Sequence, residues 1–217
     1  MDIIEAINGR RSIRAFKNDP VSKALVTKIL EAAIRAPSAI NQQPWHFVVV
    51  ADEAKERLAS AILRKYKEKG MVRELTKEGL PEKYERRTQE LFAQINTYLK
   101  EMDRDMSYIL EGSCRFYDAP VAIMVTMDKG LYPSKLLEVG AAIENLMLAA
   151  YSLGLGTCPI GFILRYEEAI REELGIPEHM EVVLGIALGY PDVDSPINRF
   201  KSSRESLDQS LTWIGFD

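Results

Sequence analysis

The 217-residue sequence contains only two cysteines and two histidines. Cys114 and Cys158 lie far apart and form no CxxC pair, so the sequence offers neither a disulfide framework nor a cysteine-based metal motif. His46 lies in an apolar, strand-like segment and His179 at a turn, which favours structural rather than catalytic roles for both. These shortages predict a cytoplasmic protein with buried thiols and no metal centre.

Positive charge and long hydrophobic runs are also scarce. Acidic residues outnumber basic ones by 32 to 28, giving a net charge of −4, so we expect neither a nucleic-acid binder nor an anionic-membrane binder. The most apolar segment, residues 139–153, is shorter than the ~20 residues that span a bilayer. The length and the 47% hydrophobic content instead predict a single globular domain over residues 1–217.

The segment 139–153 has the pattern of an unusually apolar helix. Its polar residues Glu138, Asn145 and Ser152 recur every seven positions and therefore occupy one narrow strip. A helix that is apolar on nearly all other sides has to be enclosed, either inside the domain or against a second copy of itself. Gly154 follows at the position where a left-handed residue ends a helix, and glycine and proline then predict an extended path.

Helical and strand-like segments alternate along the rest of the chain. Short β-branched runs predict strands, and apolar residues three or four apart predict helices. The strands are expected at 46–51, 120–127 and 180–188, and the helices at 3–7, 22–35, 53–69 and 165–174. Residues 70–118 are rich in charge with one apolar stripe, and we expect a helical excursion there. The arm 192–217 has little periodicity but ends in Trp213, Ile214 and Phe216, so we expect it to pack on a partner subunit.

Three polar segments are candidates for chemistry. Residues 10–14 bring several guanidinium groups and a hydroxyl together, which suits a phosphate, although an exposed basic turn is equally consistent. The loop 37–45 holds amides between two prolines and can read the edge of a flat heterocycle, although it is also a plain helix-to-strand connection. Residues 156–161 let backbone N–H groups approach a ligand, although GLG alone is a helix cap.

Five segments are more specific in combination than any one of them alone. In chain order they are RRSIRAF, APSAINQQPWHFVVV, DAPVAIMV, EVGAAIENLMLAAYSLGLGTCPIG and VLGIALGYPD. With this combination the sequence resembles the FMN-dependent nitroreductase family over nearly its whole length. The resemblance implies an α+β, nitroreductase-like fold with a mainly antiparallel central sheet flanked by helices. It also implies a homodimer with the long central helix at its interface, and an active site covered by residues 70–118.

The resemblance further implies how FMN is held. The phosphate and the ribityl chain are expected to contact Arg10, Arg11 and Ser12. Arg14 is expected toward the pyrimidine edge of the flavin, where a fixed cation stabilises the negative charge that reduction adds. Basic residues of the C-terminal tail are expected to complete the phosphate site. The candidates are Lys201 and Arg204.

Two other segments are expected at the flavin ring. One is a loop that reaches the flavin bound mainly by the other subunit. It comprises Pro37, Ser38, Ala39, Asn41 and Gln43. The other segment, Pro159, Ile160 and Gly161, is expected to cross one ring face, with the backbone N–H near Gly161 at N5. Such a donor orients N5 for hydride transfer without a titrating side chain. Some members of the family have an acidic residue directly after the Pro-Ile pair, where this chain has Gly161.

The function implied by the resemblance is reduction of nitroaromatics, quinones or similar small aromatic acceptors by NAD(P)H through FMN. Hydride is expected to pass to flavin N5 and then to the acceptor in a ping-pong scheme without an acid or base residue. One alternative on the same fold is a reductive dehalogenase of halogenated phenols. Those relatives place a hydroxyl residue near N5, whereas this chain has residues 159–161, PIG. The other alternative is a flavin-binding protein without turnover.

Overall fold

The computed structural model describes residues 2–70 and 81–216. Within these ranges the chain forms four strands, β1 (His46–Ala51), β2 (Val121–Asp128), β3 (Gly156–Ile160) and β4 (Met180–Gly189). It also forms seven α-helices, α1 (Ile3–Gly9), α2 (Lys23–Ala33), α3 (Asp52–Lys69), α4 (Glu82–Glu101), α5 (Ser107–Cys114), α6 (Leu136–Ser152) and α7 (Glu167–Leu174). None of the helices in the described part of the chain is long and apolar enough to cross a membrane.

The four strands form one sheet in the order β1-β2-β4-β3, and all neighbouring strands are antiparallel. Three of the strands match the predicted segments closely. The fourth, β3, was expected only as an extended path, because its glycine and proline disfavour a strand. Its position at the edge of the sheet explains why Pro159 is tolerated there. The predicted α+β fold with a mainly antiparallel sheet flanked by helices is confirmed.

Helices cover both faces of the sheet. Ile123 and Val125 of β2 point into a core shared with α2 and α6, whereas Ala122 and Met124 point into a core shared with α3, α5 and α7. This alternation follows from the two-residue period of a strand. Because both faces of β2 are buried, its sequence is a nearly continuous apolar run.

The long central helix α6 packs one face against α2 and the sheet. Val139, Leu146 and Ala150 on that face are fully buried. The helix ends as predicted: Gly154 has a φ of 79°, and the Leu155 N–H donates to the Ala150 carbonyl at 2.9 Å. The first turn of α6 is exposed on its other side, where Leu136 and Leu137 are 43% and 80% exposed.

The segment between the first two strands contains α4 and α5, while residues 71–80 of the expected excursion lie outside the described residues. Leu99 of α4 packs with Ile197 and Phe200 from the C-terminal segment, and all three are buried. The first part of the tail therefore packs on its own chain. From Lys201 onward nearly every described residue is exposed, and packing of this arm on a partner stays a prediction.

Gly185 of β4 lies where the strand approaches packed side chains most closely. A Cβ atom there would overlap Ile163 Cδ1 and lie 3.1 Å from Phe116 Cε1. Both neighbours are fully buried, so the Gly185→Ala variant has to displace packed atoms. We expect it to lower the free energy of unfolding by about 1–3 kcal/mol, measured by urea unfolding. A loss below about 0.5 kcal/mol, typical of surface changes, would contradict this prediction.

Candidate functional site

One cleft brings the basic N-terminal segment together with the C-terminal tail. Its volume is about 420 Å³. The five residues predicted for the phosphate end of the site line it, namely Arg10, Arg11, Ser12, Lys201 and Arg204, together with Arg14, which was predicted for the pyrimidine edge of the flavin. The two segments lie almost 190 positions apart in the sequence. Leu91 of α4 and Phe200 of the C-terminal segment add apolar surface to the lining of the cleft. Five cationic side chains around one concave surface make an anion-binding site.

The basic segment is held by its backbone, which leaves its side chains available to a ligand. The Ile13 N–H donates to the Thr157 carbonyl of β3 at 2.9 Å. The Arg14 N–H donates to Asn198 Oδ1 at 2.8 Å, and the Tyr108 hydroxyl donates to the Arg14 carbonyl at 2.7 Å. Three elements distant in sequence, β3, the tail and α5, therefore fix the segment beside the cleft.

The arginines of the segment differ in how well they are paired. Arg10 Nε lies 3.0 Å from Glu144 Oε1 of α6 and is partly committed to that contact. The Nε atoms of Arg11 and Arg14 are buried and make no hydrogen bond to any described residue. The Arg14 guanidinium also lies 5.9 Å from the centre of the Phe200 ring. Buried donors without acceptors are costly, so both arginines suit an anionic ligand that supplies the missing acceptors.

The outer edge of β3 faces the same segment. The Thr157 carbonyl accepts a hydrogen bond from the Ile13 N–H, so the backbone N–H and carbonyl of Thr157 point away from β4. N–H groups two residues apart in a strand point to the same edge, so the Gly161 N–H is directed to this outer side as well. Pro159, between them, has no N–H to offer. A Cβ atom added at Gly161 would fit, because its nearest neighbour beyond the adjacent residues, Leu184 Cδ1, would lie at an ordinary contact distance of 4.0 Å.

A second cavity, of about 320 Å³, lies between the basic segment and the start of β3. Its walls are mostly apolar and include Ile13, Tyr151 and Leu155. Pro159, Ile160 and Gly161 line neither of the two cavities. The two cavities share Gly9, Arg10 and Arg11 and therefore lie side by side.

The predicted loop lies elsewhere in the single chain. Ser38 donates to Glu138 at the start of α6 over 2.7 Å, while the second cavity, lined by Tyr151, lies at the other end of this helix. The helix is 17 residues long, about 25 Å. Pro37, Ala39, Asn41 and Gln43 are exposed and do not line the cleft of their own chain.

Asn198 is a site residue that the sequence reasoning missed. It is 2% exposed, and besides binding the Arg14 N–H it donates to the Ala15 carbonyl at 2.7 Å and to the Asp192 carbonyl at 2.8 Å. It joins the tail to the basic segment at two points, and its third bond, to Asp192, lies within the tail. Nothing local marks it, because the tail has no periodicity and the contacts arise only in the fold.

Both thiols are deeply buried. Burial raises the pKa of Cys158, beside Ser12 and Arg14, from its ordinary value of about 9 to about 11. Burial likewise raises the pKa of Cys114 to about 12. At pH 8 the thiolate fraction of Cys158 therefore falls about 100-fold, because each pKa unit is a factor of ten.

We expect neither thiol of the native protein to react appreciably with Ellman's reagent at pH 8, since the thiolate is the reactive species. In guanidinium chloride both are expected to react at once. Cys114→Ala and Cys158→Ala variants assign the two reactions. A native thiol that reacts within tenfold of the unfolded rate would contradict the burial described above.

Comparison with known proteins identifies the family of this chain. A family model described as "Nitroreductase family" matches residues 7–190. A 4-nitrobenzoate reductase of Nocardioides sp. strain LMS-CY is 34% identical over 97% of this chain and 89% of its own length. The chain belongs to the nitroreductase family. The predicted family membership is thus confirmed.

Solved structures of nitroreductases share the fold throughout. The FMN- and NADPH-dependent nitroreductase NfnB of Sphigopyxis sp. strain HMH superposes with a TM-score of 0.91 at 29% identity, covering all of both chains. The FMN-dependent nitroreductase NfnB of Mycobacterium smegmatis, crystallised with NADPH, gives a TM-score of 0.87 at 29% identity over 97% of both chains.

Proposed function

We propose that this nitroreductase-family chain is an FMN-dependent oxidoreductase that uses NAD(P)H to reduce nitroaromatic compounds, quinones or similar small aromatic acceptors. The observation that carries the proposal is a pair of half-buried arginines, Arg11 and Arg14, whose Nε atoms are buried and have no hydrogen-bond partner among the described residues. They line a cleft completed by Lys201 and Arg204. A phosphate-bearing cofactor satisfies those donors. The names of similar proteins, which include FMN- and NADPH-dependent nitroreductases, support the same cofactor and electron donor.

The residues of the cleft fit FMN. Arg10, Arg11 and Ser12, with Lys201 and Arg204, would hold the phosphate and the ribityl chain, and Arg14 would lie toward the ring. When bound, FMN supplies a two-electron carrier that takes hydride from NAD(P)H at N5 and delivers it to the acceptor in a ping-pong cycle. The chain's own contribution is binding, orientation and charge. We expect the backbone N–H of Gly161 to donate to flavin N5 and so to orient it for hydride transfer.

A second subunit accounts for the loop at the far end of α6. Two helices expose apolar side chains: Leu137 of α6 is 80% exposed, and Ile3 and Ile4 of α1 are 59% and 58% exposed. Apolar surface of this kind marks an interface. If two α6 helices pack antiparallel about a two-fold axis, the loop of residues 37–43 of one chain meets the cleft of the other. We therefore propose a cytoplasmic homodimer in which the arm from residue 201 onward packs on the partner and the helices α4 and α5 cover the active site.

The central experiment is reconstitution. The purified protein is expected to sediment at twice the mass of one chain and to bind one FMN per chain. NADH or NADPH should bleach the bound flavin anaerobically, and nitrobenzene, 4-nitrobenzoate or a quinone should restore its colour. A colourless protein that takes up no FMN would refute the proposal. Bound FMN that only a halogenated phenol reoxidises would favour the dehalogenase, and FMN that neither donor reduces would favour the non-catalytic alternative.

The unequal pairing of Arg10 and Arg11 leads to a direct prediction. Arg11→Ala is expected to raise the dissociation constant of FMN by about 10- to 100-fold, because a hydrogen bond to a charged group is worth about 1.5–3 kcal/mol. Arg10→Ala is the matched comparison and is expected to have a smaller effect, since Arg10 is already paired with Glu144. Both constants are measured by quenching of FMN fluorescence. Equal losses, or a larger loss for Arg10→Ala, would contradict this ranking.

A further inference from the structure

A series of polar side chains connects the start of α6 to the loop that precedes β1. Lys135 Nζ lies 2.7 Å from Glu138 Oε1, and the Ser38 hydroxyl donates to Glu138 Oε2 over 2.7 Å. The side chains of Lys135 and Glu138 are only 11% and 15% exposed. On the other side, the Gln43 N–H donates to Ser38 Oγ at 2.8 Å. The hydroxyl hydrogen of Ser38 is therefore committed to Glu138 within the chain.

The loop held in this way has an unfavourable backbone. Ile40, Asn41 and Gln43 have φ angles of 51°, 57° and 48°, in the left-handed region that non-glycine residues rarely adopt. Such a conformation persists only where the surroundings hold it. Packing of the Ile40 side chain does not hold it, since Ile40 is 86% exposed in the chain. Hydrogen bonds to Ser38 hold the loop instead. The Asn41 N–H donates to the Ser38 carbonyl at 3.0 Å, and the Gln43 N–H donates to the Ser38 hydroxyl oxygen.

The charges on Lys135 and Glu138 make this anchor strong. The hydrogen bond from Lys135, followed by that from Ser38, holds the pKa of Glu138 below its usual range, so the carboxylate is charged at neutral pH. A carboxylate accepts a shorter and stronger hydrogen bond than a neutral group does. The ammonium group of Lys135 has little access to water and needs Glu138 as its partner.

We propose that Lys135 and Glu138 are positioning residues for the cofactor site. They fix the Ser38 hydroxyl, and Ser38 holds residues 39–43 in the left-handed conformation that presents Asn41 and Gln43 to the FMN bound in the partner's cleft. The inference rests on the proposed function, because that cofactor is the target of the loop. It gives Ser38 an internal role in place of the direct flavin contact expected from the sequence.

The first test needs no cofactor. Hydrogen exchange of the Gln43 amide is compared in the FMN-free full-length parent and in Ser38→Ala and Glu138→Gln variants. We expect exchange in both variants to be at least about tenfold faster, because opening of the loop exposes this amide. Ser38→Thr, which keeps a hydroxyl on an extended backbone, should restore protection. Ser134, the exposed residue next to Lys135, provides the matched control. In the Ser134→Ala variant the Gln43 amide should exchange at the rate of the parent.

The second test measures FMN affinity of the same proteins by fluorescence quenching. Ser38→Ala and Glu138→Gln are each expected to weaken FMN binding about tenfold, and the double variant no more than either single one, because groups acting through one network are not additive. Ser38→Thr should recover the affinity.

The outcomes separate this inference from the function on which it rests. Unchanged exchange in the variants would overturn the positioning role while leaving FMN binding and turnover of the parent intact. The positioning role would also be overturned by faster exchange of the Gln43 amide with unchanged FMN affinity, or by additive losses of FMN affinity in the double variant. A parent protein that binds no FMN would overturn the proposed function and the positioning role together.

Discussion

A Gly161→Pro variant is expected to keep its FMN and to lose about 100-fold in the rate at which NAD(P)H reduces the flavin. Proline removes the backbone N–H and changes little else here: Gly161 has a φ of −81°, near proline's fixed value of about −65°. The preceding residue, Ile160, ends a strand and is therefore extended, as a residue before proline prefers. Loss of one preorganised donor at a reacting centre costs on the order of 100-fold in turnover.

The matched control is Gly161→Ala, which keeps the N–H. Its Cβ fits, because nothing lies nearer than Leu184 Cδ1 at 4.0 Å, and the φ angle suits any L residue. The rate of flavin reduction is expected to fall far less in this variant than in the proline variant. Anaerobic stopped-flow absorbance of the flavin band measures both rates, and FMN content is determined for each protein. If the two variants reduce equally fast, the N–H of Gly161 has no part in hydride transfer.

The second large effect is expected for Arg14→Ala: an FMN dissociation constant about 100-fold higher and a lower midpoint potential for the bound flavin. The guanidinium is partly buried, and its Nε has no hydrogen-bond partner among the described residues. A cation held beside the ring stabilises the negative charge that reduction adds, so its removal favours the oxidised form. The backbone of Arg14 should stay in place, since Asn198 and Tyr108 hold its N–H and carbonyl.

Arg14→Lys separates charge from geometry. A lysine keeps the positive charge but not the planar, forked donor group, so we expect much of the potential to be retained and part of the affinity to be lost. Potentials are measured by equilibration with reference dyes, and affinities by fluorescence quenching. A midpoint potential of Arg14→Ala equal to that of the parent would show that this arginine lies away from the flavin ring.

Elements with a buried stripe could be predicted from the sequence. The helix expected at 22–35 is observed as Lys23–Ala33 with the Ser22 hydroxyl as its cap, and the strand expected at 46–51 is observed over those residues. In both, apolar spacing reflects one packed face. The strand β3 could not be predicted in this way, because its Gly and Pro residues are acceptable only at an edge, and edge position is a property of the whole sheet.

In the candidate site, too, local features could be predicted from the sequence and features set by the whole fold could not. The local RRSIR motif and the loop beginning at Pro37 could be selected because their residue types suit phosphate and heterocycle binding. The partners that hold them could not. Asn198, Glu138 and Tyr108 contact residues 94 to 184 positions away, and such pairings leave no periodic mark in the sequence.

Pro159 also limits how another strand could pair with the outer edge of β3. An exposed strand edge invites another β-strand to add to the sheet, and such additions lead to aggregates. Beyond the contact of Thr157 with Ile13, the outer row of β3 passes through Pro159, which cannot donate a hydrogen bond to an incoming strand. Pro159 thus removes one of the donors that a second polypeptide would need in order to pair along the outer row of β3.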